Sequence, residues 1–368
     1  MKILLIGEYS NVHATLAEAL RTLGHQVTVV SNGDFWKDYP RDIDVSRKSG
    51  KIGGLWLMMK LYRLLPQLRG YDIVQLINPM FFELKAERLF CFYDYLRRHN
   101  SKVFLGAFGM DSYWVSTCIH EKPLRYSDFN IGDELRTDAE SQKYQKDWLG
   151  TKKEQLNRYI AEDCDGIIAG LYEYDACYRL HLPEKTTFIP FPIITLPNPL
   201  SKATGKRDSG IPLTSIFIGI NRERSAYKGT DIMLQAAKDV QSKYPERMTL
   251  NIAESVPFSE YQSLMNDSDA ILDQLYSYTP SMNSLLAMSK GIICIGGGEP
   301  ENYGIIHETE LRPIINVEPN YESVYNAIEQ LVLNPERIPE LKRQSVEYVR
   351  KHHDYLKVAQ QYLDFWTK

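Results

Sequence analysis

Residues 269–298, DAILDQLYSYTPSMNSLLAMSKGIICIGGG, constrain the fold more than any other stretch of this chain. They read as strand, loop, helix and strand. Positions 270–275 form a short apolar run and 276–280 are turn-rich. Positions 282–289 carry apolar residues at helical spacing, and Gly291 stops that helix before a strand over 292–295. In an open parallel sheet, ligands sit where strands end and helices begin, because the helix N-terminus presents unpaired N–H groups and a partial positive charge. Ser277, Thr279, Ser281, Asn283 and Ser284 crowd this junction, and their hydroxyl and amide groups suit the sugar or phosphates of a nucleotide. Taken singly, each is equally well explained as a helix cap.

The same alternation runs through the rest of the chain. A strand over 2–6, a loop over 7–11, a helix over 12–23 ended by Gly24, and a strand over 25–30 make a βαβ opening. Its loop reads GEYSN and lacks the GxGxxG dinucleotide fingerprint. Gly7 would let backbone approach a ligand, while Ser10 or Asn11 would cap the helix. Strands are expected at 72–76 and 102–106, with a helix over 85–98 between them. Gly109, Asp111 and Tyr113 follow the second of these strands, with Trp114 and His120 beyond. A carboxylate beside aromatic faces suits a sugar, although aromatics after a strand are also ordinary core. Residues 121–150 are polar, aromatic and aperiodic, which is the pattern of an acceptor-binding or lid insertion.

A chain of 368 residues exceeds the usual single domain. The proline-rich stretch 191–213 is the expected linker between an N-terminal domain, 1–190, and a second domain, 214–350, with a terminal helix over 351–368. The second domain opens with a strand over 215–220, then Arg222, Arg224 and Lys228, then a helix over 231–243. Basic side chains ahead of a helix N-terminus suit a diphosphate, and a solvated basic turn is the plainer alternative. Glu299 and Glu301 follow the glycine run at 296–298. Long helices are expected over 321–333 and 339–366.

Five dispersed cysteines without a CxxC pair point to reduced thiols, and a net charge of −4 argues against a nucleic-acid binder. The apolar run in MKILLIGEYS is too short for a signal peptide core, and no stretch approaches a membrane span, so a cytoplasmic location is expected. Residues 46–69 carry Arg47, Lys48, Lys51, Lys60, Arg63 and Arg69 with no acidic residue, interleaved with Leu55, Trp56, Met58 and Met59. Two readings stand: a core-packing helix with basic flanks, or a weak contact with an anionic membrane surface at its inner face. No HxH, HExxH or DxD spacing suggests a metal site, and no nucleophile-elbow or Walker spacing is present.

The run Ala287-Met288-Ser289-Lys290-Gly291 followed by IICI resembles the donor-binding signature of two-domain glycosyltransferases, the family 4-like group of the GT-B fold. The segment from Arg222 to Gly229 resembles that family's donor-diphosphate loop, with Arg222 or Arg224 as its arginine and Lys228 as its lysine. Gly109-Met110-Asp111 resembles its Gly-x-Asp loop, and 7–31 resembles the opening of bacterial surface-polysaccharide sugar transferases. The family's two glutamates fall near Ser277–Tyr278 and on Leu286, and neither position is Glu.

The resemblance implies two Rossmann-like domains facing a cleft, with the final helix crossing back to the first. It implies transfer of a sugar from a UDP- or GDP-linked donor to a saccharide or lipid-linked acceptor, with retention, no metal and no other cofactor. His13 and Asp111 would be catalytic, and Gly7, Ser10, Gly109 and Tyr113 would lie on the acceptor side. Arg222, Arg224, Lys228, Ser281, Asn283, Ser284, Glu299 and Glu301 would hold the donor. A binding subunit that has lost catalysis and a same-fold sugar-nucleotide epimerase are the alternatives.

Overall fold

Aliphatic and β-branched runs such as KILLI and KVFLGA bury almost every residue, as strands covered on both faces must. The computed structural model describes residues 1–195, 210, 212–254, 256 and 258–368. Most of the expected linker, 196–209 and 211, lies outside the described residues. The chain divides into two compact units. The first comprises Met1–Pro123, Lys143–Pro192 and Tyr355–Lys368, and the second comprises Leu124–Gln142 and Ile193–Asp354.

The first unit begins β1 (Lys2–Ile6), α1 (Val12–Thr22), β2 (Gln26–Ser31), β3 (Ile43–Asp44), α2 (Gly50–Leu64), β4 (Ile73–Leu76), α3 (Ala86–His99), β5 (Lys102–Ala107) and α4 (Ser112–His120). The hairpin β6 (Asn130–Ile131) and β7 (Glu134–Leu135) and the start of α5 (Ala139–Trp148) fall in the second unit. The first unit continues with α6 (Lys152–Asp163), β8 (Gly166–Ala169), α7 (Tyr172–His181) and β9 (Thr186–Phe188). Its sheet is parallel, in the order β3-β2-β1-β4-β5-β8-β9. Ile3 faces Val27 on one side and Ile73 on the other, so the strand order reverses around β1. That reversal is the switch point at which such sheets open a crevice for ligands.

The second unit contains β10 (Thr214–Ile220), α8 (Ser225–Lys228), α9 (Thr230–Lys243), β11 (Met248–Glu254), α10 (Phe258–Asn266), β12 (Ala270–Leu272), α11 (Met282–Ser289), β13 (Ile293–Gly296), α12 (Pro300–Ile305), β14 (Ile315–Asn316), α13 (Tyr321–Leu333) and α14 (Ile338–His352). Among the described residues its sheet is parallel, in the order β11-β10-β12-β13-β14, with its own reversal around β10. The strand, loop, helix and strand read from 269–298 are β12, its following loop, α11 and β13.

Two features depart from the sequence boundaries. Residues 124–142 lie inside the expected N-terminal domain, 1–190, yet belong to the second unit. The single helix expected over 339–366 is two helices, α14 and α15 (Tyr355–Trp366). The break has a cause: the Ile193 N–H bonds the His353 carbonyl at 2.7 Å, and Ile193 bridges Asp354, which takes this backbone out of helical bonding. After the break, α15 joins the first unit and packs on α1. Its Trp366 is fully buried, donates from Nε1 to Gln75 Oε1 at 3.3 Å, and offers its carbonyl to Lys102 Nζ at 2.9 Å.

The α2 helix buries Gly53, Leu57 and Leu61 and turns Ile52 (73% exposed) and Trp56 (58%) outward. Trp36, in the turn Phe35–Lys37 after β2, is 66% exposed. One face of this helix therefore packs on the core, as the first of the two sequence readings expects. No helix among the described residues is long and apolar enough to cross a membrane.

Candidate functional site

In the first unit, the candidate residues gather at the carboxyl ends of β1 and β5. Gly7 has φ +86°, and a Cβ there would lie 2.1 Å from Ile77 Cγ2, so only glycine lets the chain turn this close to β4. The turn carries Glu8, which is buried and accepts the backbone N–H groups of His13 at 3.3 Å and Ala14 at 2.8 Å. Glu8 therefore caps α1 from outside the helix, and burial nevertheless pushes its carboxyl up to about 8. His13 is fully buried, with Nδ1 2.8 Å from the Gly7 carbonyl. A carbonyl only accepts, so Nδ1 carries the proton and Nε2 presents a lone pair. That Nε2 is buried and has no hydrogen-bond partner among the described residues. Burial lowers the imidazole to about 4, so it is neutral near pH 7.

Ser10 is in the left-handed region, φ 51°, and its N–H donates to Asp34 Oδ2 at 2.9 Å. Lys37 bonds both Asp34 at 2.6 Å and the Ser10 hydroxyl at 3.3 Å. Gly109 lies beside the Tyr9 ring, which would be 3.1 Å from an added Cβ. Asp111 is fully buried. One carboxylate oxygen accepts the Trp114 N–H at 2.9 Å as the N-cap of α4, and the other accepts the Tyr178 hydroxyl at 2.8 Å. Burial raises its carboxyl to about 7 despite these bonds. Tyr113 stacks obliquely on Tyr178 with ring centroids 4.6 Å apart.

In the second unit, the loops after β10, β12 and β13 meet. Arg222 pairs with Glu254, and Arg224 Nε lies 3.0 Å from Glu140 Oε1. Lys228 ends α8, and its carbonyl accepts the Leu275 N–H at 3.0 Å. Ser281 caps α11, donates its hydroxyl to Asp273 Oδ1 at 2.9 Å and its N–H to Asp273 Oδ2 at 3.2 Å. Asn283 donates to the Tyr261 hydroxyl at 2.7 Å, and Ser284 is fully buried in the first turn. Asp273 thus fixes the helix start.

Glu299 reaches the same edge because of the glycine run. A Cβ on Gly297 would lie 2.4 Å from the Ser277 carbonyl, and the Glu299 N–H bonds the Tyr278 carbonyl at 3.2 Å. Glu299 is buried. Its Oε1 accepts from the Tyr126 hydroxyl at 2.5 Å and Asn316 Nδ2 at 3.0 Å, and its Oε2 accepts from Arg125 at 2.6 Å. Arg125 also pairs with Glu301 at 2.5 Å. Burial opposes ionisation of Glu301, but the guanidinium outweighs it and holds the carboxyl below its ordinary value. The Arg125 N–H bonds the Tyr278 hydroxyl at 2.7 Å, and Tyr126 packs on the Tyr278 ring at 4.8 Å.

The other end of 124–142 is held by Arg136. It donates to the carbonyls of Ala226 at 2.7 Å and Tyr227 at 3.0 Å, and its guanidinium lies 3.6 Å from the centre of the Tyr276 ring. The Tyr227 hydroxyl donates to Asp128 at 2.6 Å.

The sequence candidates thus form two sets. Gly7, Ser10 and His13 follow β1, and Gly109, Asp111 and Tyr113 follow β5. In the second unit, the α11 cap and Glu299 are joined by Arg125, Tyr126, Arg136, Tyr278 and Asp273, which the sequence reading did not single out as site residues. Glu8 was also missed, and its one signal is a carboxylate placed between a strand-ending glycine and a helix N-terminus.

No protein-family model and no curated protein matches the chain. Solved structures do. Sucrose-phosphate synthase from Thermosynechococcus elongatus is 13% identical, with 100% of this chain and 98% of that chain covered and a TM-score of 0.63. WaaG, a glycosyltransferase involved in lipopolysaccharide biosynthesis, is 12% identical with both chains fully covered and a TM-score of 0.61. Anabaena HepE in complex with UDP and glucose is 13% identical, again over the whole of both chains, with a TM-score of 0.60. At this identity the likeness shows the fold, which is GT-B.

Proposed function

We propose that this GT-B chain is a glycosyltransferase that takes its sugar from a nucleoside-diphosphate donor. The observation that carries the reading is the carboxyl edge of the second sheet. There the α11 N-terminus, capped by Ser281, and the α9 N-terminus after Lys228 and Gly229 follow the strands that flank the order reversal. Two helix N-termini beside a strand-order reversal make an anion site, and HepE, similar over its whole length, was solved with UDP and glucose. Lys228 and Arg224 would offset the diphosphate charge, with Ser281, Asn283 and Ser284 on the diphosphate or ribose and Glu299 and Glu301 on sugar hydroxyls. With the leaving diphosphate stabilised in this way, transfer would proceed without metal, and the resemblance to the family 4-like glycosyltransferases implies retention.

In the first unit the geometry favours His13 over Asp111 as the group that meets an acceptor hydroxyl. The unpartnered Nε2 can accept a proton, whereas both Asp111 oxygens hold α4 and Tyr178 in place. The exposed Ile52 and Trp56 among the lysines and arginines of 47–69, with Trp36 exposed on the same unit, support a lipid-linked saccharide acceptor, reached from a membrane surface in the cytoplasm.

Leu286, where the resembling family carries a glutamate, favours a second reading, a binding subunit without catalysis. Thermal stabilisation by UDP, GDP, ADP, CMP and dTDP tests the donor site. One diphosphate is expected to raise Tm, and Lys228→Ala to abolish the shift. No shift with any nucleotide would refute the donor reading and leave the binding subunit.

A further inference from the structure

Residues 124–142 leave the first unit after Pro123 and return to it at Lys143, yet they dock on the second. They cross three strand-end loops in turn. Arg136 binds the carbonyls of Ala226 and Tyr227 after β10 and stacks on Tyr276 after β12. Tyr126 and Arg125 then cover Tyr278 after β12 and hold Glu299 and Glu301 after β13. This is the edge at which a ligand of a parallel sheet is bound.

The two ends are fastened differently. The Arg136 side chain is 7% exposed, bonded to backbone carbonyls and stacked on Tyr276, so a competing ligand has little access to it. The Arg125 side chain is 56% exposed and bonded to carboxylates. Carboxylates are also the groups that accept sugar hydroxyls. With the strap docked, two acceptor sites of Glu299 are taken by Tyr126 and Arg125, beside the one that Asn316 of β14 takes, and Tyr278 is covered by the Tyr126 ring.

We infer that the Arg125 end of this strap is a latch that competes with the donor sugar for Tyr278, Glu299 and Glu301, while the Arg136 end stays fixed as its hinge. The inference rests on the glycosyltransferase reading. It adds that the donor subsite is self-occupied, and that Arg125 sets how readily the subsite opens.

The test is calorimetric titration of the intact chain with UDP and UDP-glucose, or the equivalent pair for whichever diphosphate raises Tm, using wild type, Arg125→Ala and Arg125→Gln. Each substitution loosens the latch and leaves both carboxylates in place. Each is expected to tighten UDP-glucose binding about fivefold, the factor set by an ordinary half-exposed ion pair. In the wild type, saturating UDP-glucose should speed amide exchange at 124–128 and leave 136–141 protected. Unchanged or weaker binding by both variants, with exchange at 124–128 unmoved by ligand, would overturn the latch while leaving the donor reading intact. Binding of no nucleotide by any of the three proteins would refute the donor reading and the latch together.

Discussion

Arg136→Ala is the perturbation that most directly probes how the strap is held. The guanidinium is nearly buried, donates to two backbone carbonyls at 2.7 and 3.0 Å, lies 3.6 Å above the Tyr276 ring and pairs with Asp138 at 3.2 Å. Hydrogen bonds from a charged donor are worth about 1.5–3 kcal/mol each, and a desolvated cation over an aromatic ring adds about 1–2 kcal/mol. The desolvation that the cation has already undergone offsets part of this, so the expected local loss is about 3–5 kcal/mol, as for breaking one partner of a buried pair. Urea unfolding is a blunt readout, because a chain of two units need not melt in one step. Amide exchange is better. The N–H groups of Ser127, Gly132 and Arg136 bond the carbonyls of Asn130, Arg125 and Phe129 within the strap. Their exchange should accelerate about 100-fold or more, since 1.4 kcal/mol is a factor of ten. Arg136→Lys keeps the charge but loses the planar fork and should fall between. Acceleration below about fivefold for Arg136→Ala would refute the anchoring argument, because the contacts would then contribute under 1 kcal/mol.

His13→Gln separates two roles. The folded imidazole sits at about 4 against an ordinary 6.5, so its contribution to stability is full above about 6.5 and lost as pH falls toward 4. That loss, on the order of 3 kcal/mol, should vanish in the variant, and a Tm series from pH 7 to 4 measures it. If His13 also receives the acceptor proton, sugar transfer should drop about 100-fold or more with donor affinity unchanged. Replacing Trp36 and Trp56 together by serine should leave Tm within about 2 °C, because both rings are largely exposed. It should weaken co-sedimentation with anionic vesicles about tenfold or more, while binding equal to wild type would remove the membrane contact.

Much of the fold was legible because the burial pattern is local. KILLI after its lysine, the IVQL core of 72–76 apart from Gln75, and IICI are apolar, and a strand covered on both faces needs no partner to be recognised. The split of the terminal helix was not legible, because its cause is a hydrogen bond from Ile193 to His353, 160 positions apart in the chain. The strap was legible only as an irregular insertion. Which unit it joins is decided by Arg125 meeting Glu299 and Glu301 and by Arg136 meeting two carbonyls, and neither contact leaves a periodic trace in sequence.

The same contrast bears on the two glutamates of the family that the sequence resembles. Counting along the chain puts them near Ser277–Tyr278 and on Leu286, and a linear motif has no other place to look. The sheet offers another. Gly297 lies so close to the Ser277 carbonyl that any side chain there would clash, and this approach lets the Glu299 N–H bond the Tyr278 carbonyl. A carboxylate from the loop after β13 is thereby set beside the position that the loop after β12 leaves without one. Gly297→Ala gives this argument its own physical edge. It should push the two loops apart, move Glu299 from its bonds with Tyr126 and Asn316, and cost about 1–3 kcal/mol as an overpacked site does. If Glu299 serves the donor in place of the absent residue, nucleotide-sugar binding should weaken together with stability in that variant. A stability loss with donor affinity intact would show that Glu299 belongs to the scaffold of the strap alone.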